Sequence, residues 1–149
     1  MKSKKRSAAS SRPKLLEPPT LFLDRSLGKK IVAEALRAVG VKVEVHDDHF
    51  APDAPDETWL SAVGAKGWVV LTKDERIRFR TIETEALMNA RARAFVLTAG
   101  NMDGASMAQL FVKALPRITK LCTKHTPPFI ATISKTGSVV VLSARTRRR

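Results

Sequence analysis

Trp68-Val69-Val70-Leu71 is an uninterrupted apolar run, preceded by Gly67 and followed by Thr72-Lys73-Asp74. A strand with no polar face has to be covered on both sides, which points to a mainly parallel sheet flanked by helices. The rest of the chain supplies strands and helices in alternation. Leu21-Phe22-Leu23 reads as a short apolar strand ending at Asp24. Ser26 is placed to cap a helix whose apolar positions Leu27, Ile31, Val32, Ala35, Leu36 and Val39 form one stripe, with Gly40 as its stop. Val41, Val43 and Val45 alternate with Lys42 and Glu44, the period of a half-buried edge strand. After a loop over 46–55, Asp56 is an N-cap candidate for a short helix that buries Trp59, Leu60 and Val63. A helix over 82–92 follows, then the strand Ala94-Phe95-Val96-Leu97 and a helix over 104–121 that Pro116 should kink or split. Phe129–Ser134 and Val139–Leu142 form a hairpin turning at Gly137. The order predicts an α/β fold: a three-layer α/β/α sandwich on a mainly parallel sheet with right-handed crossovers and a C-terminal β-hairpin.

The 149 residues suffice for one such domain, placed at 20–142 between a basic arm over 1–19 and a basic tail over 143–149. The formal charge of +13 is concentrated at those ends. Residues 1–14 and 143–149 carry ten Lys and Arg and no acid, whereas 15–142 hold 17 basic and 14 acidic residues. The ends read as arms able to touch phosphates without sequence preference, or as solubilising tails. Cys122 is the one cysteine, which excludes an intramolecular disulfide and a Cys-x-x-Cys metal site; a buried, inert thiol is expected. No apolar run is long enough for a membrane span, and no apolar segment follows the basic start as a secretory signal requires. A cytoplasmic setting is expected.

In open α/β sheets, sites form beyond the carboxyl ends of the strands where strand order reverses. Asp24 follows the first strand and Asp74 the third. A strand order such as 2-1-3-4 would set both at that switch point, with Asp56 or Glu57 reaching the same corner. Three converging carboxylates repel one another unless a cation sits between them, and an all-oxygen set suits Mg²⁺ or Mn²⁺. Such a site hydrolyses phosphodiesters with metal-activated water. Each acid also has a structural reading, Asp24 and Asp74 as caps of a following turn or helix and Asp56 as an N-cap. Arg25 and Lys29 lie beyond Asp24, and Lys73, Arg76, Arg78 and Arg80 surround or follow Asp74. They read either as phosphate grips for a nucleic acid or as a solvated face pairing with Glu83 and Glu85. His46 and His49 have His-x-x-His spacing without a further His or Cys to complete a tetrahedral set.

Four ordered segments resemble the PIN-like nucleases related to the VapC toxins. They are Leu21-Phe22-Leu23-Asp24-Arg25-Ser26-Leu27-Gly28, Pro55-Asp56-Glu57-Thr58-Trp59-Leu60, Trp68-Val69-Val70-Leu71-Thr72-Lys73-Asp74-Glu75-Arg76-Ile77 and Phe95-Val96-Leu97-Thr98-Ala99-Gly100-Asn101. The resemblance spans roughly 20–142. It implies a metal-dependent endoribonuclease, commonly the toxin of a toxin–antitoxin pair and usually a homodimer. Asp24, Asp56 and Asp74 match three of the family's acids. A fourth has no clear match; Glu57, Asp103, Asp48 and the neutral Asn101 are the candidates. Two rival readings are a non-catalytic PIN-like domain that binds nucleic acid or a protein partner, and a receiver-type phosphoacceptor. The latter wants paired acids at the first strand, which Asp24-Arg25 does not supply.

Overall fold

The computed structural model describes residues 17–142; the basic residues of 1–14 and the tail over 143–149 lie outside them. Among the described residues six strands form one sheet: β1 (Leu21–Leu23), β2 (Val43–Val45), β3 (Val69–Thr72), β4 (Arg93–Leu97), β5 (Phe129–Ile133) and β6 (Val139–Val141). Their order is β2-β1-β3-β4-β5-β6, parallel except for the terminal β5–β6 pair. The expected reversal between the first and third strands is therefore present, and the apolar run at Trp68–Leu71 does supply a central strand. Among the described residues five α-helices connect the strands: α1 (Ile31–Ala38), α2 (Asp56–Lys66), α3 (Arg76–Phe79), α4 (Thr81–Asn89) and α5 (Gly104–Lys124). Single 3₁₀ turns occupy Arg25–Leu27 and His46–Asp48.

Alternation along the strands sorts the core into two layers. Leu21, Leu23, Val69, Leu71, Phe95 and Leu97 face α1 and α5, meeting Val32, Leu36, Phe111, Ala114 and Ile118. Phe22, Val70, Ala94 and Val96 face the other way, onto Trp59, Leu60, Val63, Ile77 and Leu87 of α2, α3 and α4. This second layer is aromatic at its centre, because Phe22 stacks on Trp59 and Trp68 at centroid distances of 5.5 and 6.1 Å.

Local structure departs from the sequence expectation at four places. The helix expected after Ser26 is broken. Asp24, not Ser26, caps the 3₁₀ turn, and Gly28 ends it at φ 73° before α1 starts at Ile31. The break rotates the stripe, so Ile31 and Val39 are exposed while Val32, Ala33 and Leu36 are buried. Asp56 is not the N-cap. Pro55 takes that position in extended conformation, and Asp56 is the first helical residue, its carboxylate accepting from the Trp59 indole at 3.1 Å. A negative charge there still suits the helix dipole. The helix expected over 82–92 starts at Thr81 and ends at Asn89, and Ile82 is exposed rather than buried. The short α3 precedes it. Pro116, finally, does not split α5, which runs unbroken for 21 residues. Buried Phe111, Ala114 and Ile118 anchor the helix on both sides of the proline, and that packing outweighs the missing backbone hydrogen bond. Gly40 and Gly137 stop α1 and turn the hairpin at φ 92° and 89°, as expected.

Where α2 crosses the end of α4, a Cβ on Gly64 would collide with the Ala90 carbonyl. Relief requires moving one helix, so Gly64→Ala is expected to destabilise the protein by about 1–3 kcal/mol. Urea unfolding of the variant checks this, with a midpoint unchanged from the wild type as the contrary result.

Candidate active site

The switch point between β1 and β3 opens into a cavity of about 340 Å³ lined by Asp24, Arg25, Ser26, His46, Pro52, Ala54, Asp56, Trp59, Asp74 and Arg76. Asp24 leaves the end of β1, its amide donating to the Leu71 carbonyl of β3 at 3.2 Å. The residue is 7% exposed. Its carboxylate accepts from the Ser26 amide at 2.9 Å, from the Ser26 hydroxyl, and from the Thr72 hydroxyl at 2.5 Å. Thr72 in turn accepts from the Asp74 amide at 2.9 Å. One buried hydroxyl thus ties the two strand-end aspartates together, and Ser26 and Thr72 both direct their single hydroxyl proton at Asp24. Burial pushes the Asp24 carboxyl above the usual range, against the opposing pull of these hydrogen bonds.

Asp74 sits in a different environment. Arg76 donates to it from Nε at 3.0 Å to each oxygen and from Nη2 at 2.5 Å, and the Arg76 amide donates to it at 3.0 Å. This guanidinium holds the Asp74 carboxyl below the usual range, and Asp56 also acts on Arg76 through its charge. Asp56 reaches the cavity from the first turn of α2, oriented by the Trp59 indole.

Of the nine residues picked out from the sequence, five line the cavity: Asp24, Asp56, Asp74, Arg25 and Arg76. Lys29, Lys73, Arg78 and Arg80 do not. Arg25 and Lys29 pair with Asp47 at 3.1 and 3.9 Å, and Arg78 pairs with Glu75 at 2.7 Å rather than with Glu83 or Glu85. None of the candidates for a fourth acid lines the cavity. Asp103 caps α5 by accepting from the Ser106 amide at 2.7 Å. Glu57 turns towards a neighbouring depression lined by Ser61, Ile82 and Glu85. His46 and His49 do not act as a pair: His46 is buried against Phe22, Phe50 and Trp59, while His49 bonds Glu44 at 2.7 Å. Cys122 is half-buried, and burial pushes its thiol up to about 11, so it carries little thiolate.

Ser26, Thr72 and His46 were not assigned to the site from sequence. Thr72 was detectable in principle, as the polar end of an otherwise apolar strand two residues before Asp74. Ser26, two residues after Asp24, carries the signature of a side-chain turn.

In donor chemistry the cavity fits a hard divalent cation, since its carboxylates and hydroxyls offer oxygen and no thiolate. Among the described residues, however, no three His, Cys, Asp or Glu side chains stand close enough to hold one ion. The Arg76 guanidinium supplies the positive charge at Asp74. No helix among the described residues is long and apolar enough to cross a membrane.

Comparison with known proteins agrees with this fold. The chain is 27% identical over 126 residues to a Mycobacterium tuberculosis protein named "Putative ribonuclease VapC45", covering 82% of this chain and 91% of that protein. No solved structure matches. The sequence profile described as "PIN like domain" matches residues 19–99, which include β1 to β4 and all three cavity aspartates. The chain belongs to the PIN-like domain family.

Proposed function

We propose that this protein is an endoribonuclease dependent on Mg²⁺ or Mn²⁺ and the toxin of a toxin–antitoxin pair. The observation that carries the reading is the placement of Asp24 and Asp74 at the ends of adjacent strands, joined through Thr72 and facing Asp56 across one cavity. The similarity to a VapC-named ribonuclease supports the substrate class. Asp24, Asp74 and Asp56 stand too far apart in the free protein to hold one ion together and would have to close on the cation, which when bound supplies water activation and charge stabilisation at phosphorus. Ser26 and Thr72 fix the Asp24 carboxylate, and the Trp59 indole fixes that of Asp56. Arg76 serves two partners in turn, Asp74 in the free protein and a substrate phosphate in the complex; Arg25 grips phosphate beside it. Lys29, Lys73, Arg78 and Arg80 hold backbone phosphates further out. The basic ends add salt-dependent attraction to the polyanion. The partners proposed are an antitoxin protein and a second copy of the chain, in the cytoplasm.

The test is cleavage of labelled RNA and single-stranded DNA with Mn²⁺, Mg²⁺ or EDTA. RNA cleavage is expected with either cation and none in EDTA; cleavage persisting in EDTA would refute the metal-dependent mechanism. A second reading draws on the Arg76–Asp74 pair and the lack of a close three-acid group among the described residues. In it, the acids are structural and the domain binds nucleic acid or a partner without cutting. RNA binding with no cleavage at any metal concentration would favour it.

A further inference from the structure

We propose that Phe79 is a stacking platform for one base of single-stranded RNA entering the cavity, an assignment that rests on the ribonuclease reading above. Phe79 ends α3, the helix that starts two residues after Asp74, and is 69% exposed. Its neighbour two positions earlier, Ile77, is buried in the aromatic layer, so one face of α3 anchors the helix and the other presents the ring.

The ring is already half of a stack. The guanidinium carbon of Arg78 lies 4.4 Å from its centroid, and Arg78 is held in place by Glu75 at 2.7 Å. A cation on an aromatic face leaves the opposite face for a flat, electron-rich partner, and every nucleobase offers one. The charge around the ring selects a polyanion over an apolar peptide. Lys73, Arg76, Arg78 and Arg80 outnumber Asp74 and Glu75 along 73–80. Arg76, which lines the cavity, and Phe79 stand three residues apart on α3 and so share a face, which lets a strand whose phosphate meets Arg76 bring a base to Phe79. A duplex keeps its bases stacked inside and offers no free face, so the platform selects single strands.

Binding of a short, fluorescently labelled single-stranded RNA to the full chain tests this, measured by anisotropy in EDTA so that no cleavage intervenes, and at raised salt so that the basic ends contribute less. Phe79→Ala and Phe79→Leu are expected to weaken binding about tenfold. Phe79→Trp should restore it, with tryptophan emission quenched by the stacked base. Circular dichroism of the three variants should match the wild type, because the side chain is outside the core. RNA affinity in Phe79→Leu equal to the wild type would overturn the assignment while leaving the ribonuclease reading intact. The same result with loss of antitoxin binding would reassign the ring to a protein contact. No RNA binding by the wild type itself would overturn the platform, and the ribonuclease reading would then stand or fall on the separate cleavage assay with Mn²⁺ or Mg²⁺.

Discussion

Asp24→Asn is expected to abolish RNA cleavage, by at least about a hundredfold, while leaving the melting temperature within a few degrees of the wild type. The two halves of that expectation have separate physical grounds. An ionised carboxylate in this position is costly, because burial raises the Asp24 pKa, only neutral hydroxyls and an amide donate to it, and the Asp74 charge adds repulsion. Asparagine has the same shape without the charge. Its oxygen can accept from Ser26 as Asp24 does, and its amide can donate to Thr72, whose hydroxyl is able to turn. Little stability is therefore at risk. The function proposed for Asp24 needs the charge: a neutral amide is a poor ligand for a hard divalent ion. Losing only the outer partners of a metal ligand costs roughly ten- to a hundredfold, so losing the ligand should cost at least the upper value. Cleavage assays in Mn²⁺ paired with thermal melts check both halves. Cleavage within tenfold of the wild type would make Asp24 a structural cap.

The largest loss of stability is expected from Phe22→Ala, at about 3–5 kcal/mol. Phe22 is fully buried at the centre of β1. It stacks on Trp59 and Trp68 and meets Phe50 edge-on at 6.0 Å, with His46 tilted against it at 6.2 Å. Four rings from three separate chain segments converge on this one side chain. Collapse into the vacated space would require moving α2 and the loop after β2 together, so a cavity should remain. At roughly 2–4 °C per kcal/mol for a chain of this size, the melting temperature should fall by about 10 °C. Differential scanning calorimetry measures it, and a loss below about 1 kcal/mol would show that the aromatic layer repacks freely.

What could be read from the sequence was whatever depends on local pattern. The unbroken apolar run at 68–71 required a central strand, the Val41–Val45 alternation an edge, and Gly40 and Gly137 a helix stop and a turn. A strand order bringing Asp24 and Asp74 to one corner was one arrangement those elements allowed, and the structure adopts it. What could not be read depends on contacts between distant segments. Pro116 looks like a break until α5 is seen anchored by Phe111 and Ile118 on either side of it. Arg76 looks like a free phosphate grip, but it is bonded to Asp74. Arg25 and Lys29 look alike in sequence, yet both turn to Asp47, which no local pattern links to them. Exposure of Phe79 was equally hidden, because a single phenylalanine among arginines fits either a buried or an outward position.

Thr72 gives the molecule a property that belongs to neither its architecture nor its chemistry alone. The residue that closes the central strand also carries the side-chain proton that connects the strand to the Asp24 carboxylate. Local opening at the end of β3 would therefore release the Asp24 carboxylate and loosen Asp74 in the same event. Substitutions that quicken fraying of the central strand should thus register first as lost geometry among the acids, well before the rest of the sheet gives way.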